Sequence, residues 1–182
     1  MARMPTPDNE LDLVRNSLAG DPEAFAALVK EYQKMVFALA FRMTGSSVDA
    51  EDLAQESFLR AFRQLDSFRG NSKFSTWLCQ IVINLSLNWR ARESRRGEIH
   101  SKWAEDAFAD SHGEFPDELS RRVQGALDKL PAKQRAAIVL TVYENHSHAE
   151  AAKVLNCTEA TISWRVFAGR QKLKRLLKGI ST

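Results

Sequence analysis

The sequence predicts an all-α protein of two small helical domains. An N-terminal helical bundle spans residues 21–96 and a C-terminal four-helix unit containing a helix-turn-helix spans 117–180, with a loose segment at 1–20 and a flexible acidic linker at 97–116. Three observations predict this. Apolar residues recur at three- and four-residue steps along most of the chain, while two-residue alternation is nearly absent. Helix start and stop residues bound those stretches. Charge is also segregated: Lys+Arg against Asp+Glu number 6 to 10 in residues 1–62, 7 to 2 in 63–96, 1 to 7 in 97–120 and 12 to 4 in 121–182. Two basic blocks flank an acidic one, which suits two polyanion-binding surfaces separated by a connector that avoids polyanion.

The first helix opens with Asp21 as cap and Pro22 at its first position, then repeats Phe25, Leu28, Val29, Tyr32, Val36, Leu39 and Met43 until Gly45. A second follows Ser46 and Ser47 and buries Ala50, Leu53, Ala54, Phe58, Ala61 and Leu65. A third runs from about Phe74 to Arg95, burying Phe74, Trp77, Leu78, Ile81, Val82, Leu85 and Trp89. Beyond the linker, Leu119, Val123, Ala126, Leu127 and Leu130 mark a helix ending before Pro131, and Ala132 to about Tyr143 another.

Residues 147–178 have the pattern of a helix-turn-helix leading into a basic run. Ser147 and Glu150 have capping-box spacing for a helix whose inner side is Ala151, Ala152 and Leu155. Asn156 stands where the turn needs a left-handed backbone, Thr158 caps the next helix, and Ile162 and Val166 pack it back on the first. Thr161, Ser163, Trp164, Arg165, Phe167 and Arg170 are left for groove edges and phosphates, with Thr158 and Lys172 at either end of them as further candidate contacts. Gly169 lowers helix propensity, which leaves the length of this last helix open.

Two further faces stay outside the expected core. On the second helix Asp49, Asp52, Gln55, Glu56 and Leu59, with Phe58 beside them, form an acidic stripe with apolar residues at its end. Such a stripe is either a solvated face or a docking surface for a basic partner helix. On the third helix Asn84, Asn88, Arg92 and Arg95 line up, with Arg90 and Arg96 close by. Just upstream lies a polar and aromatic loop with Phe68, Arg69, Gly70, Asn71, Ser72 and Lys73. Amides bond base edges, arginines hold phosphates, and such a loop can cradle an unstacked base, although Phe68, Phe74 and the tryptophans fit a core better than a stacking platform.

Composition excludes several classes. A chain of 182 residues with 44% hydrophobic and 27% charged residues has enough of both to fold in water. Its two cysteines, Cys79 and Cys157, cannot build a disulfide framework, which fits a reducing interior. No apolar run approaches the roughly 20 residues of a membrane span and no signal-peptide core opens the chain, so the expectation is cytoplasmic, without membrane insertion. His146, His148 and Cys157 lack a fourth ligand at metal spacing, and no phosphate-cradling glycine loop or nucleophile triad is evident. The expectation is a protein that is no enzyme, with no metal, cofactor or small-molecule substrate.

Four strings together carry a resemblance: DAEDLAQESF at 49–58, FRGNSKFSTWL at 68–78, the stretch from Ile83 to Arg96, and Leu130–Pro131 followed by the helix-turn-helix. From about Asp21 to Leu177 the chain resembles bacterial sigma factors of the extracytoplasmic-function (ECF) group. The resemblance implies a factor that directs core RNA polymerase to promoter DNA in a stress or envelope response. Residues 21–96 would bind polymerase and read the −10 element, and 117–180 would read the −35 element and lean on the polymerase flap. Asp49, Asp52, Gln55, Glu56, Phe58 and Leu59 would meet the largest polymerase subunit. Phe68, Arg69, Asn71, Ser72 and Lys73 would hold a base flipped from the −10 strand, with Asn84, Asn88, Arg92 and Arg95 beside it. The linker would thread toward the active-site and RNA-exit channels. An anti-sigma factor that masks these surfaces is implied as well.

The recognition helix departs from many relatives in carrying Ser163 and Ala168 where extra basic residues are common, and bulky Trp164, which implies a different −35 sequence. Two other functions fit the residues alone: a stand-alone helix-turn-helix regulator that binds duplex DNA without polymerase, and a helical adaptor whose basic faces bind acidic protein.

Overall fold

A computed structural model of the chain describes residues 7–100 and 118–178. All regular structure among the described residues is helical: α1 (Pro7–Leu18), α2 (Pro22–Thr44), α3 (Ser47–Arg63), a 3₁₀ turn at Leu65–Ser67, α4 (Phe74–His100), α5 (Glu118–Asp128), α6 (Ala132–Ile138) running on into a π turn at Val139–Tyr143, α7 (His148–Val154) and α8 (Glu159–Leu176).

Local chemistry sets the helix ends. Asp21 accepts from the Glu23 amide with Pro22 inside the first turn, and α2 stops at Gly45, whose φ of 83° is left-handed. Ser46 caps α3 by accepting from the Asp49 amide. Along α2 the side chains of Leu28, Tyr32, Val36, Leu39 and Met43 are buried against α3 and α4. Each such aliphatic side chain contributes roughly 1.5–3 kcal/mol. Cys79 is buried among them, and burial pushes its thiol up to about 12, so it acts as a small apolar group.

Residues 7–18, expected to be loose, instead form a helix packed on α2, because Val14 is buried there and Leu11 and Leu13 pack against the same core. At the other end of the bundle α4 continues through His100, past the expected boundary at Arg96. Residues 101–117, most of the expected linker with Trp103 and Phe108, lie outside the described residues.

Helices α5 to α8 form the second unit, and α6 crosses α8 closely. A Cβ on Gly169 would sit 2.9 Å from Ile138 Cγ1, so the glycine whose propensity left the helix length open is a crossing point, and α8 runs on to Leu176. The two units also touch: α5, α6 and α7 pack on α2 and α4. Gly45 is part of that seam, since a Cβ there would lie 2.8 Å from Asp128 Oδ1.

Candidate nucleic-acid and partner interface

The helix-turn-helix is built as its residues require. Ser147 accepts from the Glu150 amide while the Glu150 carboxylate accepts from Ser147 N at 2.8 Å, closing a capping box at the start of α7. The Ser147 amide and the Ser147 hydroxyl, each 2.8 Å from Oε2, hold the Glu150 carboxyl below its usual range. Asn156 turns the chain at a φ of 45°, and Thr158 caps α8 by accepting from the Thr161 amide at 3.2 Å. Ile162 and Val166 are buried toward α6 and α7. Trp164 and Phe167 are each 62% exposed, two large apolar surfaces on the outer side of α8. Ser163 is also outside, but its Oγ pairs with His148 Nδ1 at 2.9 Å, and Arg165 reaches back to Cys157 Sγ at 3.5 Å. Arg170 is exposed and Lys172 half-buried on the following turns.

On α4, Asn84, Asn88, Arg92 and Arg95 are all exposed and share one side. Arg90 is not of this set. It turns toward the other unit, donating to the Met43 carbonyl at 3.1 Å and the Asp128 carbonyl at 3.5 Å, and burial lowers its pKa. The side chain of Arg96 lies outside the described residues. Arg69, Asn71, Ser72 and Lys73 are exposed on the loop before α4. Phe68 is different from its neighbours there: it is buried, edge-on to Phe74 at 5.6 Å and tilted against Trp77 at 5.5 Å. Its ring is a core piece that anchors the loop, and it is unavailable for stacking on a base.

On α3, Asp52, Gln55 and Leu59 face solvent, whereas Asp49 and Glu56 are half-covered and Phe58 packs partly into the core. Glu56 pairs with Arg60 at 2.8 Å. Two residues absent from the expected stripe complete it. Val48 is 68% and Phe62 56% exposed, and with Asp52, Gln55 and Leu59 they follow steps of four, three, four and three. The signal was the same helical period, which carries the stripe one step past its charged residues at either end.

The comparisons with known proteins fit this arrangement. Residues 28–96 match the family model of Sigma-70 region 2, and residues 120–173 match that of Sigma-70, region 4. The chain belongs to the sigma-70 family. It is 34% identical over 187 residues to the RNA polymerase sigma-H factor of Pseudomonas aeruginosa, covering 96% of this chain and 97% of that one. It is also 34% identical over 174 residues to the ECF RNA polymerase sigma factor SigW of Bacillus subtilis, covering 88% and 92%. Among solved structures it is similar to the sigma factor RpoE in complex with the anti-sigma factor NepR from Bartonella quintana, at a TM-score of 0.69 and 28% identity over 85% of this chain and 97% of that one. It is equally similar to CnrH in complex with the cytosolic domain of CnrY, at a TM-score of 0.69 and 28% identity over 95% and 99%. The sigma factor is thus of the ECF group and directs core RNA polymerase to promoters.

Proposed function

We propose that this sigma factor divides its work among three faces. The outward side of α3, with Val48, Asp52, Gln55, Leu59 and Phe62, docks on core polymerase. The loop 69–73 and the outer side of α4 hold the opened −10 strand, and the outer side of α8 reads the −35 duplex. The residues 21–96 and 117–180 are assigned to these two promoter elements. Promoter opening on this account asks for no catalytic side chain in the sigma factor, because binding of the unstacked strand offsets the few kcal/mol needed to flip a base.

One observation carries the reading. Carboxylates and exposed apolar groups share the α3 face, while amides and arginines share the α4 face of the same bundle. The first composition suits a basic partner with a desolvated centre, the second a nucleic-acid strand. Among the described residues no helix is long and apolar enough to cross a membrane, which agrees with a cytoplasmic site of action. RpoE and CnrH are each seen with a proteinaceous partner, NepR and CnrY, and this supports an anti-sigma factor for the present chain as well.

The test is competition for core enzyme. The double variant Asp52→Lys, Gln55→Lys should keep its helical circular dichroism and lose competition against a labelled sigma factor for core polymerase. A double variant that still competes at wild-type concentration would remove α3 from the interface.

A further inference from the structure

Glu10 lies on α1, 64 residues before the helix it serves. It is buried, and its Oε1 accepts from the backbone amide of Phe74, the first residue of α4, at 2.8 Å. Its Oε2 accepts from the Tyr32 hydroxyl on α2. A carboxylate at this place satisfies an amide that the helix itself leaves orphaned and lies at the positive end of the helix dipole. Both partners are buried, so removing Glu10 would leave a donor on each of two helices without an acceptor.

Phe74 is also the residue at which the exposed loop 69–73 ends. The loop is held at its start by Phe68, whose ring packs on Phe74 and Trp77, and at its end by Glu10. Between these ends Gly70 faces Leu11 on α1, where a Cβ would come 3.7 Å from Leu11 Cδ2. Helix α1 therefore underlies the loop, and Glu10 is a buried carboxylate on it.

We propose that Glu10 is a positioning residue for base recognition: by fixing the Phe74 amide to α1 and α2 it sets the shape of the loop that receives the unstacked promoter base. This rests on the assignment of the loop to the −10 strand. Glu10 touches no DNA in this account, and its effect reaches the base only through the loop. An error of about 1 Å in such a support is enough to degrade a binding constellation.

The experiment uses the full chain loaded on core polymerase and a pool of forked-junction DNAs carrying a randomised six-nucleotide single-stranded overhang. Bound DNA is sequenced below the unfolding temperature of every variant. Wild type should favour one base over the others at one overhang position by about tenfold or more, the scale of a specific base contact. Glu10→Ala should reduce that preference to about twofold or less at that position alone, while its affinity for core enzyme stays within about threefold. Glu10→Gln keeps an acceptor for the Phe74 amide and a group that can meet the Tyr32 hydroxyl, and should recover most of the preference. A purely structural Glu10 would lower the yield of bound DNA evenly and leave the base preference intact, and that result would overturn the proposal. A wild type with no preference at any position would instead overturn the assignment of the loop, and the proposal with it.

Discussion

Arg135 on α6, with no solvent exposure, donates through Nη2 to Oδ1 of Asp128 at the end of α5, and through Nε to the carbonyl of Arg42 on α2 at 2.5 Å. Burial pulls its guanidinium down to about 10, with the Asp128 carboxylate acting against that shift, so it remains charged near neutrality. The same seam holds Arg42 over the Tyr143 ring at 4.5 Å and within 3.5 Å of Glu144. One buried cation thus fastens α5 and α6 to the end of α2.

Breaking this pair from one side should cost more than removing it. Asp128→Ala leaves Arg135 buried without its carboxylate and should destabilise by about 3 kcal/mol, at the low end for a buried pair because Asp128 keeps 33% exposure. Asp128→Ala combined with Arg135→Met should recover most of that loss. Denaturant unfolding of the single and double variants measures both, and equal losses in the two would contradict the arrangement.

Two glycines should respond oppositely to the same substitution. Gly169→Ala places a methyl group 2.9 Å from buried Ile138 and should destabilise by about 1–3 kcal/mol. Gly125→Ala, on α5 where a Cβ meets nothing, should stabilise by up to about 1 kcal/mol through helix propensity. Thermal unfolding of the two variants side by side checks the α6 and α8 crossing directly.

Burial lowers the pKa of His146, with Glu150 opposing and Lys73 adding to the shift. The unfolded chain therefore binds a proton that the folded one resists, in the window just below the ordinary value of 6.5. The stability linked to His146 is complete above that value and is lost as pH falls through the folded pKa. Glu144, raised by burial, works in the opposite sense as pH climbs above 4.5. Wild type should therefore lose unfolding free energy relative to His146→Gln as pH falls from about 7.5 to about 5, and parallel curves would contradict the assignment.

Much of this fold is legible in local sequence because its helix ends are made by local chemistry. Asp21 with Pro22, Ser147 with Glu150, Asn156 and Thr158 each act on neighbours within four residues, and each stands in the structure as its spacing suggests. What escaped depends on partners far along the chain. Glu10 gains its meaning from Phe74 and Tyr32, Arg135 from Arg42, and Arg90 from Met43. Phe68 reads as a core ring from its residue type and was placed on the base by the resemblance alone; its contacts with Phe74 and Trp77 agree with the core reading. Val48 and Phe62 escaped because charge is what marks the stripe in sequence, and these two exposed apolar residues at its ends carry none.

The most direct measurement of the central claim is run-off transcription with purified core polymerase, a pool of randomised promoters and this chain as the single added factor. The chain should associate with core enzyme, and transcripts should start from a defined subset of templates sharing two sequence elements. A chain that fails to associate with core polymerase, or that leaves template choice unchanged, would contradict it.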